Sequence, residues 1–176
     1  ASVAPYLCYA VEDGPVRLVM LDTMQPGSHS GHCPEAVAGW LERTLAARPG
    51  VPTLLFMHHP PFVTGMGAMD EPFENVGRLA DILSRSPWVR LCCGHMHRPI
   101  VTQWAGCIAL TSPAVSMQID LDLSPEGGDT FRMETPGYLL HHWDGSVLNS
   151  HICQIPCSPT FSGPHPFVGS VNPVEG

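Results

Sequence analysis

Three short apolar runs alternate with two amphipathic segments in the first half of this chain. The runs end at Leu21, Met57 and Cys93, and Gly, Pro or polar residues bound each of them. Short apolar runs of this kind predict buried strands, and apolar residues at helical spacing between them predict crossover helices. The pattern therefore predicts a β-α-β-α-β unit with parallel strands, which is an α/β (α+β) fold.

The predicted elements follow from the positions of the apolar residues and of the Gly and Pro residues that end them. We predict strands over residues 16–21, 53–57 and 89–93, and helices from Pro34 to about 48 and from Glu74 to Arg85. The buried stripes of the two helices are expected to be Val37, Trp40, Leu41 and Leu45, then Val76, Leu79, Ala80 and Leu83. Two strand pairs are predicted after Pro99, namely 100–104 with 107–111 and 137–143 with 146–152. The polar segment 120–136 between them is predicted to be an excursion or small cap.

Histidines follow the second and third apolar runs. His58 and His59 come directly after one run, and His95 and His97 come just after the other. Parallel strands end at the same edge of a sheet, where open α/β folds bind ligands. Imidazole is a good ligand for zinc, iron, manganese and cobalt. On an extended backbone, side chains two residues apart point the same way, so His95 and His97 are expected to reach one metal centre.

Charge and composition limit the partners of such a site. The formal net charge is −8 and only eight Lys and Arg residues are present, which argues against a nucleic acid polymer as partner. No apolar run approaches bilayer length, so neither a membrane partner nor a signal peptide is predicted, and we expect a cytoplasmic location. A small anion held through a divalent cation fits this charge better. Cys92 and Cys93 are expected in the core, whereas the Cys153/Cys157 spacing only weakly suggests a disulfide or zinc site.

The histidine segments resemble a known family. Phe56-Met57-His58-His59-Pro60-Pro61 and Cys93-Gly94-His95-Met96-His97 look like the last two motifs of the calcineurin-like metallophosphoesterases. Val19-Met20-Leu21-Asp22, followed by Gly31 and the Trp40-Leu41 helix, is similar to the stretch before those motifs. The loop Gly67-Ala68-Met69-Asp70 resembles the bacterial glycerophosphodiesterase branch, close to the class III cyclic-nucleotide phosphodiesterases. The resemblance covers roughly residues 11–152.

This resemblance implies a two-sheet sandwich flanked by helices and a dinuclear centre of Mn, Fe, Zn or Co. By position in the motifs, His58 and His95 would ligate the second metal and His97 the first. His59 would support the site without binding the metal. Apart from the resemblance, two interpretations of Met66, Met69 and Asp70 stay open: they line the mouth through which substrate enters, or they belong to a plain flexible loop. The implied activity is hydrolysis of a small phosphodiester, either a cyclic nucleotide or a glycerophosphodiester, by a metal-activated hydroxide.

The chain also departs from the family pattern. The motifs Asp-x-His, Gly-Asp-x-x-Asp and Gly-Asn-His are absent from it. We therefore interpret residues 1–118 as the C-terminal half of the catalytic domain, 119–155 as a cap excursion and dimerisation hairpin, and 156–176 as a Pro-rich tail. Alone, this half is expected to be inactive and to hold one metal or none. Half of a sandwich leaves apolar surface uncovered, so a homo-oligomer is expected.

Other interpretations of the same residues stay open. The chain could be a non-catalytic metal-binding or interaction module, or it could hold structural zinc through Cys92 or Cys93 with His95. A serine hydrolase is disfavoured because no Gly-x-Ser-x-Gly motif occurs. His29 and His32 are expected in a solvated loop, and at most one of the neighbouring residues His141 and His142 is expected to point inward.

Overall fold

A central six-stranded sheet organises the chain. The computed structural model describes residues 3–67, 69–128 and 130–156. Its elements are β1 (Tyr9–Val11), β2 (Arg17–Met20), β3 (Gly31–His32), α1 (Glu35–Ala47), β4 (Thr53–Met57), β5 (Phe73–Glu74), α2 (Val76–Ser84), β6 (Val89–Cys93), β7 (Ile100–Trp104), β8 (Cys107–Thr111), β9 (Gln118–Ile119), β10 (Phe131–Arg132), β11 (Gly137–Trp143) and β12 (Leu148–Gln154).

The strands of the central sheet run in the order β1-β2-β4-β6-β8-β7. The four inner strands are parallel, and the edge strands β1 and β7 are antiparallel to their neighbours. The predicted alternation of parallel strands with helices is confirmed, and the fold is mixed α/β. The predicted bounds of β4, β6, β7 and β8 are also confirmed, because Pro, Gly or a tight turn ends each apolar run.

The two helices share one hydrophobic core with one face of the sheet. Val19, Leu55 and Leu91 alternate along three neighbouring strands and pack in the same core as both helices. The predicted stripe of α1 is confirmed as buried, but α2 buries Leu79, Ile82 and Leu83 and leaves the predicted Val76 and Ala80 only half-buried. The predicted start of α2 at Glu74 is wrong, since the left-handed Asn75 (φ 60°) prevents helix before residue 76.

The hairpin β11–β12 lies on the opposite face of the sheet. Arg90 of β6 donates a hydrogen bond to Ser150 Oγ at 2.7 Å, and the rings of Phe56 and His141 meet edge to face. The hairpin prediction is confirmed, but β12 begins at Leu148 rather than at 146. The Asp144 carboxylate accepts bonds from the amides of residues 146 and 147, so the turn has four residues instead of two.

This second face of the sheet is only partly covered. A groove of about 610 Å³ lies between the hairpin, the edge of β2 and the sheet. Its apolar lining includes Leu7, Met20, Phe56, Tyr138 and Leu139. Leu7, at the rim of this groove, is 79% exposed.

The segment after β8 contains one short antiparallel pair, β9 with β10, within the predicted polar excursion. The predicted boundary between residues 118 and 119 falls inside β9. The predicted tail beyond Pro156 and the Cys157 partner of Cys153 lie outside the described residues. Within the described ranges neither helix is a membrane span, since the longer one, α1, has 13 residues and a span needs about 20.

Candidate metal centre

The carboxyl ends of β2, β4 and β6 lie side by side. In the parallel register, Met20 is opposite Phe56, and Phe56 is opposite Cys92. The chain leaves these strands toward Thr23, toward the pair His58-His59 and toward His95. The expectation that both histidine clusters share one edge of the sheet is confirmed.

Gly94 brings the two histidine loops into contact. Its amide donates a hydrogen bond to the His58 carbonyl at 3.0 Å. A Cβ atom at this position would lie 3.2 Å from His58 Nδ1, closer than most such contacts. The absence of a side chain at Gly94 therefore lets His58 and His95 face each other.

Three imidazoles converge at this edge. The ring centroids of His58 and His59 are 4.7 Å apart, and each lies 5.3 Å from the centroid of His95. One nitrogen from each ring can be chosen so that all three lie within 4.8 Å of one another. In the part of the chain that the structure describes, no other group of three His, Cys, Asp or Glu side chains meets this criterion. Three imidazoles with an open side are a donor set that suits a divalent transition metal.

His95 combines an unpaired buried nitrogen with a left-handed backbone. Its Nε2 atom is buried and has no hydrogen-bond partner in the protein. Its backbone is left-handed, with φ at 66°. Both features cost free energy, and buried polar atoms are normally paired, so this atom is a natural site for a bound cation.

His59 is the most buried of the three and is anchored from a neighbouring strand. Its side chain is 8% exposed, and its Nδ1 atom lies 2.9 Å from the hydroxyl of Thr23, itself 2% exposed. Nε2 is then the nitrogen left for other interactions. The resemblance predicted no direct ligand role for His59, whereas the geometry brings it into the same group as His58 and His95.

All three histidines have lowered pKa values. Burial is the main cause in each case, and the neighbouring imidazoles add to it. For His59 the pKa falls to about 4. The charge of Glu71 works in the opposite direction on the pKa values of His59 and His95. Near neutral pH the three rings are therefore uncharged, which is the form that binds a metal ion.

His97 lies near this group but does not join it. Its Nδ1 atom is 3.2 Å from the Met117 carbonyl oxygen and 3.1 Å from the Met117 sulfur. The predicted extended backbone for His95 and His97 is wrong, because both residues are left-handed (φ 66° and 48°). The argument that side chains two residues apart point the same way therefore does not apply to them.

Asp70 holds the loop that borders the site. Its carboxylate accepts hydrogen bonds from the amide and hydroxyl of Thr64 and from the amide of Gly65. Asp70 and Glu71 also line a small cavity with His59 and His95. Met66 of the same loop is buried against Met96, which lies between His95 and His97.

An open cleft lies in front of the imidazoles. It has a volume of about 350 Å³, and Thr23, Ser28 and His29 line it together with the three histidines. That size suits a small-molecule ligand. His29 is exposed in a loop, as predicted, and it also borders this cleft. No sequence pattern marks Thr23 or Glu71 as part of the site. Thr23 and His59 are 36 positions apart in the sequence, and they meet only because β2 and β4 are neighbours in the sheet.

The cysteines do not take part in this group. Cys92 and Cys93 are buried as predicted, and burial raises the pKa of Cys92 to about 12. The Cys92 sulfur lies 3.7 Å from His141 Nε2, on the face of the sheet that carries the hairpin. His141 is half-buried and His142 is exposed, as expected from strand alternation. The arrangement gives no support to a zinc site formed by these cysteines with His95.

The amino-acid sequence is similar to those of several phosphodiesterases. The probable glycerophosphodiester phosphodiesterase GpdQ of Arcobacter nitrofigilis is 38% identical over 166 residues, 92% of this chain and 60% of the relative. The 3',5'-cyclic adenosine monophosphate phosphodiesterase CpdA of Escherichia coli K12 is 33% identical over 135 residues, 74% of this chain and 48% of the relative. The chain belongs to the metallophosphoesterase superfamily.

Membership of this superfamily confirms the resemblance drawn from the two histidine motifs. This metallophosphoesterase chain spans about half to three-fifths of the length of the curated relatives it matches. A cyclic adenosine and guanosine monophosphate phosphodiesterase of Mycobacterium tuberculosis is also similar, at 28% identity over 153 residues. No family profile matches the chain.

Proposed function

We propose that this chain is the C-terminal half of a phosphodiesterase catalytic domain that hydrolyses small phosphodiesters with divalent metals. The observation that carries the proposal is the convergence of three imidazoles at one edge of the sheet. The names of the relatives support phosphodiester hydrolysis and include both glycerophosphodiester and cyclic nucleotide phosphodiesterases. The substrate class is accordingly a cyclic nucleotide or a glycerophosphodiester.

The residues fit the metals that the superfamily implies. In the complete site, His58 and His95 would hold one of two Mn, Fe, Zn or Co ions, and His97 would contribute to the other. The unpartnered His95 Nε2 supports this fit, because a cation would satisfy it. When bound, such ions neutralise charge on phosphoryl oxygens and acidify the attacking water. A chain of net charge −8 needs that neutralisation to accept a phosphate ester.

The chain's own side chains then bind and orient the substrate. The cleft in front of the imidazoles presents the Ser28 hydroxyl and the His29 ring, both of which can donate hydrogen bonds to phosphoryl or ribose oxygens. The Asp70 turn and the buried Met66 hold the adjacent loop in place. The loop thereby shapes the entrance without supplying a ligand of its own.

Of the carboxylates that the described part of the chain places near the imidazoles, Glu71 borders the small cavity beside His59 and His95, whereas those of Asp22 and Asp70 are engaged in hydrogen bonds. Both oxygens of Asp22 accept amide hydrogen bonds, from Leu7 and from Met24, and Asp70 is occupied by its loop. We therefore propose that the chain alone is inactive and that further ligands come from a segment present in the longer relatives. The apolar groove beside His58 is the proposed docking face for that segment.

A second proposal concerns assembly and location. The exposed apolar residues of the hairpin, such as Leu140, Val147 and Ile152, favour a homo-oligomer. The described cysteines are all free thiols, which fits the reducing cytoplasm. Light scattering after size-exclusion chromatography at micromolar concentration would test the assembly, and a compact monomer would contradict it.

The activity is tested by complementation. The chain would be co-expressed with the segment of the Arcobacter relative that lies outside the match, and hydrolysis of bis(p-nitrophenyl) phosphate would be measured with Mn²⁺. We expect turnover from the pair, none from the chain alone, and none from a pair carrying His95→Ala. A folded, metal-loaded pair without turnover would contradict the proposal and favour the alternative, a non-catalytic metal-binding or interaction module.

A further inference from the structure

We propose that Glu71 is a specificity-determining residue, whose negative charge at the rim of the metal centre favours phosphodiesters over phosphomonoesters. The inference rests on the proposed function and deepens it, because it names the residue that distinguishes the two classes of ester. A phosphodiester carries one negative charge near neutral pH, whereas the phosphoryl group of a monoester carries nearly two. A fixed carboxylate beside the bound phosphoryl group therefore opposes the monoester more strongly.

The carboxylate of Glu71 is held close to the histidines. It accepts a hydrogen bond from the hydroxyl of Ser30 at 3.3 Å, and Glu71 lines a small cavity together with Gly31, His59 and His95. Gly31 brings its loop against the site, because a Cβ atom there would lie 2.5 Å from His59 Cβ. The charge of Glu71 also counters the effect of burial on the pKa values of His59 and His95, which supports a position near both rings.

No cation of the described residues pairs with this carboxylate. Glu71 forms no ion pair in that part of the chain, and its hydrogen-bond partner Ser30 is neutral. Among the same residues, no Lys or Arg lines either the small cavity or the cleft in front of the imidazoles. The charge of Glu71 therefore acts on an incoming anion without a compensating positive side chain beside it.

Glu71 differs from the two other carboxylates at this edge. Both oxygens of Asp22 and both oxygens of Asp70 accept hydrogen bonds from backbone amides, which hold two turns in place and partly offset the two charges. Glu71 is exposed and fixes no turn in this way. Repulsion of the wrong ligand is a common source of specificity, and an exposed carboxylate at the rim of an anion site supplies it.

The test measures the binding of two small probes to the whole chain and does not depend on turnover. The chain would be loaded with Zn²⁺, and the dissociation constants of dimethyl phosphate and methyl phosphate would be measured by NMR titration. At about pH 8 methyl phosphate is almost fully doubly charged. In Glu71→Gln we expect the ratio of the two affinities to shift about 2–5-fold toward methyl phosphate, the size of one exposed charge interaction. The shift should shrink at an ionic strength of about 1 M, where screening acts over about 3 Å.

Two further variants separate the charge from the hydrogen bond and from general effects. Ser30→Ala removes the hydrogen bond and keeps the carboxylate, whereas Glu71→Gln keeps an oxygen that can accept the bond and removes the charge. Glu74→Gln is the matched control, because Glu74 is also exposed, bonds to Gln25 and lines neither the small cavity nor the cleft. Ser30→Ala and Glu74→Gln should both keep the affinity ratio of the wild type.

An unchanged ratio in Glu71→Gln, or an equal shift in Ser30→Ala, would overturn the inference, while retained Zn²⁺ would leave the proposed metal centre intact. A Zn²⁺-loaded chain that binds neither phosphate ester would also overturn it. Failure of the wild-type chain to retain Zn²⁺ would contradict the metal centre of the proposed function, and the inference would fall with it.

Discussion

Two buried side chains at opposite ends of the parallel strands, Arg17 and His95, differ in how their polar atoms are paired. At the amino end, Arg17 is fully buried, and it donates to Thr53 Oγ1 and to the carbonyls of Thr44 and Arg48. At the carboxyl end, His95 Nε2 is buried with no partner. A saturated buried group stabilises a fold, whereas an unsaturated one costs free energy unless a ligand completes it. Trp88 Nε1 and Arg90 Nε are also buried without a partner, so it is the combination of an unpaired nitrogen with two neighbouring imidazoles that sets His95 apart.

The largest effect on Zn²⁺ affinity should come from replacing His95, at the carboxyl end of the strands. His95→Ala should weaken Zn²⁺ binding more than about 100-fold, beyond the effect of losing an outer hydrogen-bond partner. It should not lower the stability of the metal-free chain, because the atom removed has no partner to lose. Calorimetric titration and urea unfolding would measure the two quantities separately.

His97→Ala sharpens the same prediction. Because His97 stands outside the group of three imidazoles, its removal should leave the affinity for a single Zn²⁺ within a few-fold of wild type. Equal losses in His95→Ala and His97→Ala would show instead that the chain binds its ion through His58, His95 and His97.

At the amino end of the strands, replacing Arg17 should lower stability and leave Zn²⁺ affinity unchanged. Arg17→Met leaves the carbonyls of Thr44 and Arg48 without their donor at the end of α1. We expect the free energy of unfolding to fall by about 3 kcal/mol, since bonds to a buried charged group are worth about 1.5–3 kcal/mol and unpaired carbonyls add a cost. Zn²⁺ affinity of the folded protein should not change. An Arg17→Met chain with wild-type stability and weakened Zn²⁺ binding would contradict this prediction.

A smaller effect should appear on acidification of the metal-free chain. The pKa of His59 is about 4 when folded against an ordinary 6.5, so between these pH values the unfolded state binds a proton that the folded state does not. This contribution to stability is present above pH 6.5 and is lost as pH falls toward 4, by about 3 kcal/mol.

Urea unfolding at several pH values would measure this loss. His59→Gln should reduce the pH dependence over that window, and the remainder belongs to groups such as His58 and His95, whose pKa values burial also lowers. His142→Gln, at an exposed position of β11, should leave the pH dependence unchanged. A slope as steep in His59→Gln as in the wild type would assign the titration to other groups.

The smallest effect concerns the contact between the two histidine loops. Gly94→Ala would place a Cβ atom 3.2 Å from His58 Nδ1, and such overpacking should cost about 1 kcal/mol of stability with some loss of Zn²⁺ affinity. Gly67→Ala is the control, because no atom lies within 4 Å of its added Cβ. Identical behaviour of the two variants would mean that the loops adjust freely.

The parts of the fold that could be predicted are those governed by local pattern. The strands β4, β6, β7 and β8 were bounded by turn residues, and the stripe of α1 was readable from its spacing. The two-residue strands β3 and β5 were not predicted, because they are too short to show a period and exist only through their pairing with each other.

The site was predictable in its residue types and not in its geometry. The motifs pointed to His58 and His95, but the left-handed backbones of His95 and His97 depend on how the loop packs. The contact between Thr23 and His59 joins segments 36 residues apart, and nothing local to either residue signals it. Such a pair becomes visible only when the order and register of the strands are known.

That register has a consequence for how the chain reaches its native state. The centre takes Thr23, His59 and His95 from the ends of three neighbouring strands whose alignment is fixed by pairs such as Met20 with Phe56. A slip of one strand by a single residue would shift its end by about 3.3 Å and turn its side chains to the other face. A metal ion that binds at this edge would bind only the correctly aligned chain. By mass action it would therefore stabilise the native strand register relative to misaligned compact states.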